Sequence, residues 1–375
     1  MTNKERVRAI LNYEKYDKLP VVSFGYWDET LEKWYNEGHV TREEWQGYLG
    51  NHDNSYADKS VMKKLGFDFN WNSCFGGNTL LSPCFEERIL DEFPNGQIKK
   101  IDSNGLIVIE KKNVVSIPAE VGHTLTDRKS WEALYRPKLQ YDEKRINFEH
   151  LKRLALDDDL PLGIHCGSLI GNIRNLLGVE GLSYLYCDDE ELFVEIIDTV
   201  GDLCYRIADR ILKENVAFDY AHFWEDICFK NGPLIVPSVF EEYVAPHYKR
   251  ITTLLKDHNI NIVSVDCDGL IDSLVPIWLE NGVNTMFPIE VGTWDASIKP
   301  WREKYGNHIL GVGGMNKNVF AKDFNAIDQE IERLKGLIEL GGYIPCPDHR
   351  IAPDAIWENV QYYCDKMQNL FIEKL

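Results

Sequence analysis

Eight short apolar runs, separated mostly by amphipathic helical stretches, are the feature that most constrains the fold of this 375-residue chain. They lie at 21–24, 66–72, 161–166, 218–225, 261–268, 284–290, 308–314 and 342–348. Buried strands that alternate with helices are typical of parallel βα units, and eight such units predict a (β/α)8 TIM barrel of the α/β class. A doubly wound open sheet is the alternative, but no Gly-x-Gly-x-x-Gly follows the first strand. We expect a single barrel domain over residues 1–375.

Residues 84–118 have a different pattern. Apolar and polar residues alternate there, and the alternation is broken at Pro94-Asn95-Gly96 and Ser103-Asn104-Gly105. Asn-Gly between alternating runs is a strong hairpin signal. The sequence therefore predicts an antiparallel β-meander inserted into the barrel at about 84–118.

The charge and cysteine content exclude several classes of function. Lysine and arginine number 41 against 60 aspartate and glutamate residues, which gives a net charge of −19. So acidic a chain is repelled by phosphate backbones and anionic membranes, so we expect neither as a partner. The nine cysteines form no CxxC pair, the opening MTNKERVRAILNYEK lacks an apolar core of signal-peptide length, and no apolar run reaches transmembrane length. These features favour a cytoplasmic protein with reduced thiols.

Ionisable side chains follow almost every apolar run. In a barrel the carboxyl ends of the strands meet at one mouth, where catalytic groups lie. Polar residues also begin at strand ends for ordinary reasons, but acids, histidine and cysteine are not the usual turn residues. The candidate residues at these ends are Tyr26, Trp27, His165, Glu225, Asp266, Asp268, Glu290, Cys346 and His349.

Asp266 and Asp268 are the most informative pair. Residues i and i+2 of a strand face the same side, so both carboxylates point together. Two desolvated carboxylates need a cation, or one of them keeps a proton. The alternative is a turn pair that caps a helix beginning near Leu270. His349 can likewise bind a metal or shuttle a proton, or be an ordinary loop histidine.

The chain resembles the uroporphyrinogen decarboxylase superfamily over nearly its whole length. The resemblance is carried by Glu225-Asp226 through NGPLIVPSVFEEYVAPHYKRI, by VDCDG at 265–269, and by GGYIPCPDHRIAPDAIWENVQYY at 341–363. The opening KERVRAILNYEKYDKLPVV and the segment GSLIGNIRNLLGVEGLSYL are also similar to this superfamily. The resemblance implies the same barrel fold and one of two chemistries. These are cofactor-free decarboxylation of porphyrinogen acetate groups, and methyl transfer involving a corrinoid with zinc in the barrel mouth.

The segment after the first strand departs from the decarboxylases. They carry an arginine-rich stretch there that grips a polyanionic substrate, whereas this chain has SFGYWDETLEKWYNEG, which is acidic and lacks arginine. Guanidinium groups bind the carboxylates of a substrate well, whereas acidic side chains repel those carboxylates. The late histidine of the decarboxylases matches His349.

In the thiol-directed methyltransferases, a His-x-Cys pair falls at Asp266 and Asp268, and a late cysteine falls at His349 or Cys346. The resemblance therefore implies a zinc site of Glu225, Asp266, Asp268 and His349, which also supply the catalytic groups. Tyr26, Trp27, His165, Glu290 and Cys346 are expected to contact a small-molecule substrate.

The prediction is a methyltransferase that passes a methyl group from a small methylated substrate to a corrinoid on a separate protein, since no Asp-x-His-x-x-Gly segment is present. A homodimer is compatible with the family. The alternatives are a decarboxylase acting on a porphyrinogen or another acid, and a non-catalytic binding barrel.

Overall fold

The computed structural model describes residues 1–50, 52–111 and 118–370. The strands are β1 (Val22–Ser23), β2 (Phe69–Asn70), β3 (Cys74–Gly76), β4 (Arg88–Glu92), β5 (Gln97–Ile101), β6 (Leu106–Lys111), β7 (Ala119–His123), β8 (Gly163–His165), β9 (Tyr220–Trp224), β10 (Cys228–Phe229), β11 (Gly232–Pro233), β12 (Val263–Asp266), β13 (Thr285–Phe287), β14 (Leu310–Met315) and β15 (Tyr343–Pro347). The α-helices are α1 (Asn3–Leu11), α2 (Asp28–Asn36), α3 (Arg42–Tyr48), α4 (Tyr56–Leu65), α5 (Arg128–Ser130), α6 (Phe148–Leu154), α7 (Gly171–Asp188), α8 (Glu190–Leu212), α9 (Pro237–Val239), α10 (Ala245–Asp257), α11 (Val275–Glu280), α12 (Val291–Trp294), α13 (Ile298–Tyr305), α14 (Phe324–Ile338) and α15 (Trp357–Gln368).

The centre of the fold is a parallel sheet of seven strands in the order β15-β14-β13-β12-β9-β8-β3. A separate parallel pair joins β1 to β2. Each of the eight apolar runs contains one of these strands, so the predicted strands and the α/β class are confirmed. The sequence analysis missed β3, which follows β2 after three residues and pairs with β8.

Side-chain alternation along the strands separates an inner face from a helix-covered outer face. On β9, Phe223 packs against Tyr248 of α10, with ring centroids 4.9 Å apart. The neighbouring His222 faces Phe287 of β13 instead. Amphipathic helices such as α8 bury one stripe against the sheet, which is what their apolar spacing requires. No helix in the described ranges is long and apolar enough to cross a membrane.

The predicted meander is present as a four-stranded antiparallel sheet in the order β4-β5-β6-β7. The two Asn-Gly turns are found where the sequence placed them, and Gly96 and Gly105 have φ values of +81° and +87°, which favour glycine. Residues 112–117 of the predicted insertion lie outside the described residues. The sheet also continues beyond residue 118, because β7 ends at His123.

Candidate active site

The carboxyl ends of β12 and β15 bring two predicted site residues together. His349 Nε2 lies 3.3 Å from Asp268 Oδ2. The other ring nitrogen, Nδ1, accepts a hydrogen bond of 2.8 Å from the backbone N–H of Arg350. An acceptor Nδ1 carries no proton, so the proton of the neutral ring is on Nε2 and faces the carboxylate. The arrangement is a histidine–carboxylate pair with a fixed tautomer.

Aromatic rings hold His349 in this orientation. Trp27 stacks on the imidazole with ring centroids 5.4 Å apart and an angle of 13° between the planes. Phe24 contacts it at 5.4 Å with the planes tilted by 44°. The predicted residue Trp27 therefore lies at the mouth, where it restricts the movement of His349.

Asp266 is the last residue of β12 and is 7% exposed, and Asp268 follows it two residues later, beyond the end of the strand. Burial raises the pKa of Asp266 well above its usual value, and the charges of Asp268 and Asp226 raise it further. Burial and Asp268 also raise the pKa of Glu290, whose carboxylate accepts a hydrogen bond from the backbone N–H of Gly269. This mouth therefore holds carboxyl groups that retain protons at higher pH than usual.

The arginine nearest to these carboxyls is already paired. Arg350 donates to Asp53 through both terminal nitrogens, at 3.0 and 2.6 Å, and to the Tyr48 hydroxyl at 2.8 Å. Burial lowers the pKa of Arg350, but the Asp53 carboxylate more than compensates, so the net change is upward. Gly25, with a φ of +83°, lets the backbone pass close to these groups, because a Cβ there would lie 2.5 Å from the Tyr48 oxygen. Arg350 is thus committed within the fold.

A second arginine and a lysine complete the mouth. Arg174 lies 3.1 Å from Asp226 and its guanidinium is 6.0 Å from the Trp224 ring centroid. The Lys317 amine donates to the backbone oxygen of Arg350 at 3.1 Å. Burial lowers the pKa of Lys317. Arg136 lies elsewhere, since it is half exposed and pairs with Glu195 on α8.

The structure corrects the role predicted for Glu225. Its side chain is fully buried, and its two oxygens accept from the Ser168 hydroxyl, from the Tyr248 hydroxyl and from the backbone N–H groups of residues 169–171 at the start of α7. Five donors saturate the carboxylate. Glu225 therefore stabilises a helix N-terminus, where negative charge is favourable, and is not free to bind metal or substrate.

Tyr26 and Cys346 are also not at a pocket surface. Tyr26 is completely buried and packs edge-on against Trp34 and Tyr48, at 5.6 and 5.7 Å between centroids. Cys346 is completely buried, and burial raises the pKa of its thiol well above the usual range. Both are corrections, because complete burial among apolar neighbours removes these side chains from contact with a substrate.

The remaining donors do not fit the zinc site that the resemblance implies. Glu225 is saturated, and Asp268 faces His349. Within the part of the chain that the structure describes, no group of three or more His, Cys, Asp or Glu side chains is arranged to hold a metal ion. Structural and catalytic zinc sites need at least three protein ligands. The residues present therefore do not fit zinc.

A cavity of about 390 Å³ lies at the carboxyl ends of β3, β8 and β9. The predicted substrate residue His165 lines it, together with Cys74, residues 76–80, Ser168, Asn172, Asn175 and Trp224. The larger hollows of 460 and 510 Å³ lie against α8 and the meander, away from these strand ends. The cavity at His165 is therefore the space in which a small molecule can reach this edge of the sheet.

Sequence reasoning considered Asp226 with Glu225 but selected only Glu225, and it missed Lys317, Trp224 and the Arg350–Asp53 pair. One available signal was the same alternation that was applied to Asp266 and Asp268. With His222 and Trp224 facing inward, Glu225 must face outward, and the side chain to consider was Asp226. Asp53 had no such signal, because it lies in a loop far from Arg350 in sequence.

Comparisons with known proteins agree with the fold. The family model described as uroporphyrinogen decarboxylase (URO-D) matches residues 115–370. A methyltransferase from Methanosarcina mazei has a similar structure, with a TM-score of 0.65 at 17% sequence identity, covering 98% of this chain and 99% of that one. A B12-independent methionine synthase from Shewanella sp. W3-18-1 has a TM-score of 0.48 at 10% identity, covering 94% and 98% of the two chains. No curated protein sequence gives a significant match.

Proposed function

Because the chain belongs to the uroporphyrinogen decarboxylase family, we propose that it is an enzyme acting at the mouth formed by β12 and β15. The proposed reaction is transfer of a methyl group from a small methylated substrate to an acceptor on a partner protein. The observation that carries this proposal is the His349–Asp268 pair, with the Nε2 proton directed at a carboxylate 3.3 Å away. Such a pair presents an oriented N–H donor to a leaving atom that gains negative charge.

The proton requirement of demethylation matches the groups present. When a nucleophile takes the methyl group from a CH3–X bond, the bond electrons stay on X, and X must gain one proton to leave as HX–R. In the proposal the Asp266 carboxyl supplies that proton, because burial and the charge of Asp268 raise its pKa well above the usual value. Asp268 orients the neutral imidazole of His349, whose Nε2–H donates a hydrogen bond to the leaving atom.

The acceptor is proposed to be a corrinoid carried by a separate protein, as the sequence analysis expected. Both ring nitrogens of His349 already have partners, Arg350 N–H at 2.8 Å and Asp268 Oδ2 at 3.3 Å, so this imidazole is not assigned to binding a corrinoid. A corrinoid would supply a nucleophilic metal centre for the methyl group. We assign no residue of this chain to its binding.

Decarboxylation of an acid is the second candidate, and the raised pKa of Asp266 favours it because the product of carbon dioxide loss also has to be protonated. The charge distribution favours methyl transfer instead. Arg350 and Arg174, the arginines near the mouth, are paired with Asp53 and Asp226. A polyacid would have to displace these carboxylates before it gained a guanidinium partner.

The proposal includes closure of the sheet into the eight-stranded barrel. Three contacts support it. Tyr26 forms a parallel bridge with Ile351, which links the chain after β1 to the chain after β15. Phe24 lies 4.5 Å from Phe287, and Trp71 Nε1 donates to Ser264 Oγ at 3.2 Å across the interior. A crystal structure with a gap between β1 and β15 would contradict closure.

The test measures transfer of a methyl group to free reduced cobalamin. Panels of methyl ethers, methylamines and methyl thioethers are the methyl donors, and the absorbance of methylcobalamin reports the product. Asp266→Asn, which removes the proton donor, and His349→Leu, which removes the N–H donor, should each lower the rate about 100-fold. Asp158→Asn is the matched control, because that side chain is fully exposed. Release of carbon dioxide from uroporphyrinogen and from small acids is measured in parallel.

The outcomes are distinct. Transfer that depends on both mouth residues but not on Asp158 supports the proposal. Transfer that is unchanged in Asp266→Asn would rule out the proposed proton donor. Carbon dioxide release without methyl transfer would establish the second candidate. If the chain shows neither activity, the methyl-transfer proposal is refuted and the remaining alternative is a non-catalytic binding barrel.

A further inference from the structure

The cavity beside His165 is chemically different from the mouth next to it. In the described part of the chain its lining contains glycine, asparagine, serine, threonine, cysteine, leucine, histidine and tryptophan, and no Lys, Arg, Asp or Glu. The adjoining cation, Arg174, is held by Asp226 outside the lining. A charged ligand would therefore lose its hydration in this cavity without gaining an opposite charge, which is costly.

We propose that this cavity binds an uncharged ligand that presents a hydrogen-bond-accepting oxygen to His165 and an apolar or aromatic body to Trp224. Its role as the methylated substrate rests on the proposed function, but its binding does not. The inference narrows the substrate from any small methyl compound to uncharged oxygen compounds such as ethers.

His165 is a neutral donor with a defined tautomer. Its Nδ1 accepts a 3.0 Å hydrogen bond from the backbone N–H of Gly167. The proton of the neutral ring is therefore on Nε2. Among the described residues, Nε2 has no hydrogen-bond partner, and burial lowers the pKa of His165 to about 4. At neutral pH the ring offers the cavity one N–H donor and no charge.

A second histidine fixes this one from behind. Ser264 Oγ accepts from the Trp71 indole and is hydrogen-bonded to His222 Nδ1, 2.6 Å away. These contacts hold the His222 ring in place. It packs edge-on against His165 at 5.8 Å, and burial lowers its pKa well below the usual value. Neither histidine is positioned to become a cation that would attract an anionic ligand.

Trp224 supplies the apolar surface of the cavity. It ends β9 on the same strand face as His222, and Arg174 lies over its ring. A second cation over this ring is disfavoured, because it would compete with the Arg174 guanidinium for the same π face. The size of about 390 Å³ is within the range of small-ligand pockets.

The experiment compares three probes of nearly equal shape by isothermal titration calorimetry at neutral pH. They are para-methoxybenzyl alcohol, which is neutral, para-methoxybenzoate, which is an anion, and para-methoxybenzylamine, which is a cation. The neutral probe should bind about tenfold more tightly than either ion. His165→Leu should weaken its binding about fivefold to tenfold, the size of one hydrogen bond. His165→Gln, which restores a neutral N–H donor, should recover most of the affinity.

Exposed His308 provides the control, and His308→Leu should leave binding unchanged. Tighter binding of the benzoate or the amine overturns the proposal, and so does equal binding of the neutral probe to His165→Leu. Circular dichroism of each variant separates a lost contact from a lost fold. Because binding needs neither His349 nor Asp268, a neutral probe that binds but is not demethylated would refute the proposed function and leave this inference standing.

Discussion

Replacing Asp58 by asparagine should make the stability of the chain less dependent on pH. Asp58 lies in the first turn of α4 and is completely buried. Its Oδ2 accepts from the backbone N–H of Asn54 at 2.8 Å and from the Asn70 amide at 3.2 Å. Its Oδ1 is buried without a hydrogen-bond partner among the described residues. Burial, followed by the charge of Asp53, raises the pKa of Asp58 to about 7 from an ordinary 3.8.

The magnitude follows from proton linkage. The folded chain holds the Asp58 proton more tightly than the unfolded chain, so the stability falls as the pH rises from about 4 to about 7 and is level above that range. A difference of about 3 pH units corresponds to about 4 kcal/mol in total. Between pH 5 and pH 8 the change is about 2.5 kcal/mol. Asparagine keeps the Oδ acceptor, does not ionise and should escape this loss.

Thermal unfolding followed by circular dichroism measures the effect. The melting temperature of Asp58→Asn minus that of the unaltered chain should increase by about 4 °C between pH 5 and pH 8, at somewhat under 2 °C per kcal/mol for a chain of this size. Asp158→Asn removes an exposed charge and should show no such trend. A difference that stays constant with pH would refute the reasoning, because it would mean that Asp58 is ionised throughout.

Four other substitutions or treatments test separate parts of the argument. Asp53→Asn removes the partner of Arg350 and should lower stability, while the pH dependence due to Asp58 becomes weaker, as pH-dependent melting would show. Glu225→Gln places an amide N–H against backbone donors and should cost about 3 kcal/mol in denaturant unfolding. Gly25→Ala should cost about 3 kcal/mol in the same assay, because its φ of +83° and its neighbours leave no room for a Cβ. Treatment with a chelator should leave the melting temperature unchanged, since the mouth donors do not fit zinc; a large decrease would contradict that assignment.

The strands could be predicted from sequence because each is buried on both faces and therefore appears as a continuous apolar run. Strand β3 was not predicted, because its three residues, Cys74, Phe75 and Gly76, are too few to form an apolar run that can be recognised in the sequence. The site was predicted where a rule of geometry applied. The i, i+2 rule placed Asp266 and Asp268 on one face, but it was not applied to Glu225, whose saturation depends on the start of α7. Tyr26 was assigned to the mouth because it follows β1, whereas the chain turns and buries the ring against Trp34.

The charges at the mouth are consistent with a reaction that consumes a proton and does not bind an anion. Asp268 raises the pKa of both Asp266 and Glu290, so these carboxyls titrate as a set and not one at a time. The raised pKa values favour the protonated forms of these carboxyls, next to the imidazole of His349. The Arg350 guanidinium, which could otherwise bind an anion, is neutralised by its ion pair with Asp53. These carboxyl groups can therefore protonate a leaving atom, whereas they repel the carboxylates of a polyacid.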